Sequence, residues 1–379
     1  MCGVQKVILI VVNEPWFFIS HRLPIARAAS ENGYDVHIAT RNGVDVEKIK
    51  SEGFEFHEIP FSRSSMNLLE ELRSVVKLYR LYADIRPSLV HHVTIKPVLY
   101  GSLVARLSGV PRVINAISGL GHVFTDDGFS ASIRRLLIGY AYRFLLRKNN
   151  QYHVIFQNPD DRRTINRLAK LKDENVTMIP GSGVDLGVYS QLPEPVGVPV
   201  VVLAARMLWD KGIGEFVKAA EILTGRGVEV NFILAGDVDE GNPRSISKDV
   251  LLEWSKRENI QWLGYQSDIP LLYAKANIIC LPSYYGEGVP KSLIEAAACG
   301  RAIVTTNEPG CREIVQDGVN GILVESKNPV ELAESIEELI MSPALRNKMG
   351  LAGRKLVEDR FSLDLVVNRT LNVYKALLA

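Results

Sequence analysis

The chain has 379 residues, which is too long for one ordinary hydrophobic core and predicts two α/β domains. Its content of 47% hydrophobic and 23% charged residues is that of a soluble globular protein, and no stretch approaches the ~20 apolar residues that span a bilayer. The cysteines show no metal-binding or redox spacing, so we expect buried or idle thiols in a reducing compartment; they are Cys2, Cys280, Cys299 and Cys311.

The net charge of +1 conceals an asymmetry between the two halves. Residues 1–190 contain 24 Lys and Arg against 18 Asp and Glu, a balance of +6, and the remainder contains 20 against 25, a balance of −5; these sums agree with the totals of 44 and 43. A basic N-terminal half predicts an anionic partner. Lipid headgroups, a lipid diphosphate and nucleic acid all fit that description.

Strands and helices alternate from residue 6 to about 180, which predicts a parallel sheet with helices on both faces. The first strand runs into Asn13 and Glu14, so we interpret it as a strand and not as a signal peptide. No G-x-G-x-x-G follows it, which argues against an NAD-binding domain. The predicted strands are 6–12, 34–40, 54–60, 88–93, 110–117, 152–156 and 175–180.

Several candidate ligand contacts follow these strands, at the sheet edge where parallel sheets bind ligands. His21 is one, with a hydrogen bond to a backbone carbonyl as the alternative, and Lys96 after strand 88–93 is another. The loop 119–128 is rich in glycine and aromatic residues, and we expect it to contact an acceptor, with a mobile surface loop as the alternative. Its candidate residues are Gly119, Gly121 and Asp127.

The segment 133–148 is helical in length, rich in large apolar residues and basic at both ends. Core packing would explain one apolar face. It explains less easily why so much of the circumference is apolar or cationic. Insertion at a membrane surface is therefore the sharper hypothesis, with a core helix as the alternative.

The segment 181–199 contains glycine and proline without periodicity and predicts an interdomain linker. Alternation then resumes, and Gly236 follows a strand at the ligand edge of a second sheet. The last helix, 363–378, is amphipathic. The other predicted elements are strands 200–204, 229–234 and 260–262 and helices 213–224, 249–257 and 269–275.

The stretch 283–300 carries the most chemistry, and it stands between two apolar strands, 277–281 and 301–306. Pro290 suits the first turn of a helix and Gly300 its end. Backbone amides at Gly288 and Val289 would then point away from the helix start, which is a favourable site for an anion. Two acids, Glu287 and Glu295, flank this position.

Carboxylates repel phosphate but accept hydrogen bonds from sugar hydroxyls, so acids beside an anion site match a nucleotide sugar. The alternative is that Glu295 pairs with Lys291 one turn earlier and that Glu287 is solvated. A second element favours the ligand: Arg206 and Lys211 follow strand 200–204, where two cations could meet the same diphosphate.

The pattern E-G-x-P-x-S-x-x-E-A-x-A-x-G at 287–300, with R-x4-K-G at 206–212, resembles the donor site of family 4 retaining glycosyltransferases of the GT-B fold. The resemblance extends over essentially the whole chain. Segments 89–101 and 115–124 resemble the bacterial branch that builds lipid-linked oligosaccharides for surface polysaccharide, O-antigen or glycoprotein.

The resemblance implies an α/β fold of two Rossmann-like domains: residues 1–190 on the acceptor side, with helix 362–379 packing back on them, and residues 191–361 as the nucleotide-sugar domain. It implies catalytic roles for Glu287, Arg206 and Lys211 and donor contacts from Glu295, Gly288, Val289 and Gly236. Many relatives carry a histidine that contacts the donor hexose. Val93 stands near that place here, so His92 or Lys96 could substitute.

The implied reaction moves a hexosyl unit, which could be N-acetylhexosaminyl, from a nucleotide diphosphate sugar, UDP-linked by preference, to a polyprenyl-diphosphate-linked saccharide. It would retain the anomeric configuration and use no metal or other cofactor. We expect no nucleic-acid partner and a cytoplasmic enzyme, peripheral on the inner face of the membrane. The alternatives are a GT-B sugar-nucleotide epimerase and a non-catalytic sugar-nucleotide-binding protein.

Overall fold

The structure is a computed structural model that describes residues 6–62, 68–120, 129–146 and 151–379. Its residues form two compact units: residues up to Ser182 join Asp364–Ala379 in one, and Gly183–Leu363 form the other. We call them the N-terminal unit and the C-terminal unit. The segment 183–190, which the sequence assigned to the first domain, lies in the C-terminal unit.

The N-terminal unit is built on parallel strands: β1 (Val7–Val12), β2 (Asp35–Thr40), β3 (Glu55–Glu58), β4 (Leu89–Val93), β5 (Val113–Ile117), β6 (Tyr152–Phe156) and β7 (Val176–Met178). Their spatial order is β3-β2-β1-β4-β5-β6-β7, and in register Ile10 of β1 lies between Ile38 of β2 and His91 of β4. The chain order reverses between β1 and β4. Sheets of this kind bind ligands beyond the carboxyl ends of the strands at such a point.

The helices that cover this sheet are α1 (Pro15–His21), α2 (Leu23–Glu31), α3 (Val46–Ser51), α4 (Leu68–Ile85), α5 (Ser102–Ser108), α6 (Phe129–Leu146) and α7 (Pro159–Ala169). A π-helical turn, Pro97–Gly101, leads into α5. All five residues of β4, β5 and β6 are buried, because helices shield both faces of a parallel sheet from water.

The C-terminal unit repeats this plan with β8 (Val200–Ala204), β9 (Asn231–Ala235), β10 (Ile260–Trp262), β11 (Ile278–Leu281), β12 (Ala302–Thr306) and β13 (Gly321–Val324). The order is β10-β9-β8-β11-β12-β13, so the reversal falls between β8 and β11. Its helices are α8 (Ile213–Gly225), α9 (Lys248–Trp254), α10 (Ile269–Ala274), α11 (Lys291–Ala298), α12 (Pro309–Ile314), α13 (Pro329–Met341) and α14 (Pro343–Arg360).

The last helix, α15 (Leu363–Leu378), contributes to the core of the N-terminal unit. Val366, Leu371 and Tyr374 are buried in the same apolar cluster as side chains of β1 and β2. The Tyr374 hydroxyl also lies 2.6 Å from His91 Nδ1 in β4. Burial of this apolar face stabilises the docked helix.

The prediction of two parallel-sheet α/β domains is confirmed, and each predicted strand has a counterpart within a few residues. Cys280, Cys299 and Cys311 are buried thiols, as expected, while Cys2 lies outside the described residues. No helix within the described ranges combines the length and the apolar character that crossing a bilayer requires.

Candidate active site

Lys211 and Glu287 form an ion pair in the C-terminal unit, with 2.7 Å between Lys211 Nζ and Glu287 Oε1. Lys211 ends a short 3-10 turn after β8, and Glu287 lies on the loop after β11. These two strands are neighbours and flank the point where the strand order reverses. The pair therefore stands where a doubly wound sheet binds its ligand. The alternative of a solvated Glu287 is wrong, because its side chain is only 15% exposed.

One side-chain hydrogen bond and close approaches of the backbone hold both partners of this ion pair. The Ser283 hydroxyl donates to Glu287 Oε1 at 2.7 Å, and the Tyr284 amide donates to the carbonyl of Asp210 at 2.9 Å. Gly212, directly after Lys211, has φ of +75°, and a Cβ there would lie 2.1 Å from the carbonyl oxygen of Pro282. Only glycine permits that approach.

Arg206, like Lys211, follows β8, and it is also held by an acid. Its Nη1 donates to Asp239 Oδ2 at 2.7 Å, and Asn242 donates to the same oxygen at 3.2 Å. Asp239 is the second acid of Asp237-Val-Asp239, which is the one D-x-D pattern in the sequence, and here it orients an arginine. The sequence pattern did not reveal this role, since 33 residues separate the two side chains.

Gly236 allows the loop after β9 to approach the loop that carries Arg206. Its φ is +143°, and a Cβ there would lie 1.8 Å from the carbonyl oxygen of Ala205. The carbonyl of Gly236 in turn accepts a hydrogen bond from Trp262 Nε1 at 2.8 Å. We infer that position 236 requires glycine because two backbone segments pack closely together at this edge of the sheet.

The start of α11 also lies at this edge, with Pro290 as the residue before its first turn. The preceding backbone at Gly288 is packed closely against α12: a Cβ on Gly310 would lie 2.1 Å from the carbonyl oxygen of Gly288. Val289 is buried. Gly288 and Val289 are thus held at a helix N-terminus, where backbone amides favour an anion.

Glu295 lies one turn into α11, almost completely buried. Its Oε1 accepts a hydrogen bond from the Tyr189 hydroxyl at 2.8 Å, and Lys291 Nζ lies 3.6 Å from the same oxygen. Burial raises the pKa of this carboxyl, and Lys291 acts against that shift. The alternative, an ion pair between Glu295 and Lys291, is therefore present at a long distance. Tyr189 is the closer partner of Glu295.

In the N-terminal unit, His21 ends α1 with its ring stacked on that of Phe17, at 4.1 Å between centroids. Arg22 next to it is buried and donates from Nη2 to the Ser118 hydroxyl at 3.1 Å. Burial lowers the pKa of Arg22 to about 10. Gly119 adopts φ of +106° after β5, while Gly121 and Asp127 lie outside the described residues.

Two hexose-contact candidates are engaged inside the protein. His92 has no exposed surface; its Nδ1 lies 2.8 Å from Asn115 Oδ1 and its Nε2 lies 2.8 Å from the Tyr82 hydroxyl. The suggestion that His92 contacts the hexose is corrected, because both ring nitrogens have partners in the core. Lys96 Nζ lies 2.5 Å from Glu71 Oε1 and donates to the carbonyl of Ser62 at 2.8 Å, so it is tied to α4.

Among the residues that the structure describes, no group of three or more His, Cys, Asp or Glu side chains could hold a metal ion. Arg206 and Lys211 are two cations near the reversal point, and each is oriented by a carboxylate. Fixed positive groups of this kind can stabilise negative charge that develops on a leaving diphosphate.

Comparison with known proteins gives two adjacent family matches. A model described as Glycosyl transferase 4-like matches residues 7–158, and one described as Glycosyl transferases group 1 matches residues 190–356. The latter range contains Arg206, Lys211, Glu287 and Glu295.

Two curated relatives extend over most of the chain. The N,N'-diacetylbacillosaminyl-diphospho-undecaprenol alpha-1,3-N-acetylgalactosaminyltransferase of Campylobacter jejuni is 29% identical over 380 residues, which cover 94% of this chain and 97% of the relative. The UDP-Gal:alpha-D-GlcNAc-diphosphoundecaprenol alpha-1,3-galactosyltransferase of Escherichia coli is 24% identical over 339 residues, 82% of this chain and 84% of the relative. The solved structure of Anabaena HepE with UDP and glucose covers 98% of this chain and 100% of its own, with a TM-score of 0.78 and 17% identity.

Proposed function

Since the chain is a GT-B glycosyltransferase that joins a glycosyl transferase 4-like part to a group 1 part, we propose that it transfers a hexosyl unit from a UDP-linked sugar to a polyprenyl-diphosphate-linked saccharide. The observation that carries this proposal is the Lys211–Glu287 ion pair at the carboxyl ends of β8 and β11. The names of the Campylobacter and Escherichia relatives support the acceptor class. We favour N-acetylhexosamine as the transferred sugar, which the Campylobacter relative's name supports, whereas the name of the Escherichia relative gives galactose.

In the proposed mechanism the bond between the anomeric carbon and the diphosphate breaks, which leaves an additional negative charge on the diphosphate. Lys211 and Arg206 stabilise that charge together with the amides at the start of α11. Glu287 orients Lys211 and, as the residue before Gly288, would accept a hydrogen bond from a hexose hydroxyl. Protein cations and helix amides carry the charge in this proposal, which includes no metal.

We propose that the anomeric configuration is retained. The acceptor hydroxyl would attack from the face that the leaving group vacates, and a phosphate oxygen would take its proton. No pair of adjacent carboxylates needs to act as acid and nucleophile, as it does in a retaining glycosidase. Glu287 and Glu295 accordingly receive orienting and ribose-binding roles.

The direct test is to incubate UDP-sugars with the enzyme in the presence and absence of a polyprenyl-diphosphate-linked saccharide. We expect UDP release that depends on the acceptor, with the product's anomeric configuration read by NMR. Conversion of the sugar to its epimer without an acceptor would overturn the proposal. Neither the family matches nor the named relatives support that epimerase alternative.

We further propose that the N-terminal unit binds the membrane surface in the cytoplasm. The C-terminal part of α6 supports this, because Tyr140 and Phe144 lie one turn apart and are each 60% exposed. The Arg106 guanidinium lies 4.8 Å from the centre of the Phe144 ring. The opposite side of α6 is core: Tyr142, Leu145 and Leu146 are buried. Exposed aromatic residues beside cations suit a lipid headgroup region.

We expect the protein to sediment with anionic liposomes at low salt and to be partly released as salt rises, because the electrostatic share is screened. Replacing Arg134, Arg135 and Arg147 by Glu should weaken that binding, at about 1 kcal/mol for each basic residue near an anionic surface. It should slow transfer to a lipid acceptor more than transfer to a short soluble analogue. The structure describes neither residue 147 nor the side chains at 134 and 135.

A matched control carries the same change of charge on another helix of the same unit: Arg162→Glu, Arg163→Glu and Arg167→Glu on α7. We expect this triple variant to bind liposomes nearly as well as the unchanged protein does. The membrane role of α6 would be overturned if both triple variants lost the same amount of liposome binding, or if the unchanged protein did not bind liposomes. Its alternative as a core helix would then stand.

A further inference from the structure

Residues 183–199 of the predicted linker 181–199 belong to the C-terminal unit, and we call them the strap. The strap contacts that unit from Val184, which is buried in its core, to Pro195, whose carbonyl accepts a hydrogen bond from Asn277 at 3.0 Å. Its contacts come from buried side chains of that unit. Arg301, which is 1% exposed, donates to the carbonyls of Leu192 and Pro193 at 3.0 and 3.2 Å. Arg346 forms a two-pronged contact with Glu194, at 2.9 and 3.0 Å. Such contacts fix a chain segment in one place.

The strap reaches the candidate donor site at Tyr189. Arg354 Nη1 donates both to the carbonyl of Tyr189, at 2.7 Å, and to the carbonyl of Ala298, at 2.8 Å. One guanidinium thus ties the backbone at Tyr189 to the C-terminal end of α11. The Tyr189 amide donates to the carbonyl of Asp185 at 2.9 Å, which adds a local turn.

From that fixed position the Tyr189 hydroxyl donates to Glu295 Oε1 at 2.8 Å. Lys291 lies 3.6 Å from the same oxygen, so both neighbours act on Oε1. A buried carboxylate whose one oxygen is held in this way presents the other, Oε2, in a defined direction. A phenylalanine at 189 would fill the same space without this hydrogen bond.

We propose that Tyr189 is a positioning residue for the donor site: it orients Glu295 so that Oε2 accepts a hydrogen bond from a ribose hydroxyl, and the strap thereby contributes to recognition of a ribonucleotide. This inference rests on the proposed function, which places ribose at Glu295. It extends the nucleotide site to a residue 106 positions earlier in the sequence.

The test is Tyr189→Phe, with UDP, 2′-deoxy-UDP and 3′-deoxy-UDP as probes in direct binding and with UDP-sugar in turnover. A hydrogen bond to a charged group commonly accounts for about tenfold or more in an equilibrium constant. We therefore expect Kd for UDP and KM for the UDP-sugar to rise about tenfold with kcat nearly unchanged, since a ribose contact exists in ground state and transition state alike. We also expect the preference for UDP over one deoxy analogue to shrink.

Tyr374→Phe is the matched control, because it removes another buried tyrosine hydroxyl, the one bonded to His91 in the N-terminal unit. It should change stability without changing the discrimination between UDP and its deoxy analogues. Glu295→Ala is the second arm, and we expect it to weaken UDP binding and abolish that discrimination.

The Glu295→Ala and Tyr189→Phe variants distinguish a failure of the proposed donor site from a failure of the positioning role. Unchanged UDP binding and discrimination in Glu295→Ala would overturn the placement of ribose and the proposed donor site with it. Weak binding in Glu295→Ala together with unchanged Kd and discrimination in Tyr189→Phe would leave the donor site intact and overturn the positioning role. Equal loss of kcat and of stability in Tyr189→Phe, with discrimination preserved, would show that the residue only supports the fold.

Discussion

Replacing Glu287 or Lys211 by Ala should lower kcat for transfer about a hundredfold while the protein stays folded. Loss of one preorganised charge contact commonly costs ~3 kcal/mol of transition-state stabilisation. Lys211 ends a 3-10 turn and Glu287 lies on a loop, and neither side chain belongs to the apolar core of the C-terminal unit. Glu287→Gln, which keeps the size and removes the charge, should show a similar loss because the 2.7 Å contact with Lys211 loses its charge–charge attraction.

The effects of the two substitutions should not add, since the residues act as one pair. We expect the double variant to be little slower than either single variant. The surface pair Lys256–Glu253, with both side chains more than two-thirds exposed, supplies the control. Lys256→Ala and Glu253→Ala should leave kcat and KM unchanged. Turnover of a folded Glu287→Ala, Lys211→Ala double variant at the unchanged protein's rate would overturn the site assignment.

Short-range patterns sufficed to predict the two parallel sheets and to select the candidate residues of the donor site. A buried β-branched run followed by Pro290 and ended near Gly300 specifies strand, loop and helix, because each residue acts within its own few neighbours. Arg206, Lys211 and Glu287 follow the same logic, as polar residues directly after buried strands. Doubly wound sheets then bring such loops to one edge.

The sequence could not predict the partners of these residues. Asp239 was visible only as half of a D-x-D pattern, and its contact with Arg206 depends on how two loops after neighbouring strands approach each other. Lys96 was predicted to contact a ligand because no partner for it stands nearby in the sequence. Its partner, Glu71, lies 25 residues earlier on α4. Long-range contacts of this kind leave no local signal.

The contacts of the strap were likewise not predictable from local sequence. Glycine and proline without periodicity indicate irregular backbone, and the irregular backbone is present. That Arg301 and Arg346 hold it depends on side chains more than 100 residues away. Tyr189 therefore gave no signal as a site residue until the fold brought it to Glu295.

His92 leads to the second prediction of large effect: the N-terminal unit should lose stability as pH falls from 6.5 towards 4. Complete burial lowers the pKa of His92 to about 4, and its hydrogen bond to Asn115 only partly opposes that shift. In the unfolded chain the pKa is about 6.5. Between these values the unfolded state binds the proton and the folded state does not, so acid favours unfolding.

We expect the free energy of unfolding to fall by about 2 kcal/mol by pH 5 and by about 3 kcal/mol in total by pH 4. The surroundings leave the charged ring no room to gain solvent: a Cβ on Gly101 would already lie 2.3 Å from His92 Nε2. His91 shifts stability in the same direction, since burial also holds its pKa well below the usual value.

Hydrogen–deuterium exchange of the peptide that contains β4, measured in moderate urea at pH 7 and pH 5 and corrected for intrinsic rates, should show this loss. His92→Gln removes the titrating group. Between pH 7 and pH 5 the free energy of opening should therefore fall less in this variant than in the unchanged protein, by about 2 kcal/mol. This difference does not depend on how stable the variant is at pH 7. His153→Gln is the control and should change the pH dependence less, because His153 lies in β6, two strands away from β4, and is less deeply buried. If His92→Gln and the unchanged protein lose the same free energy between pH 7 and pH 5, His92 is protonated in the folded state and the hydrogen bonds assigned to its ring nitrogens are wrong.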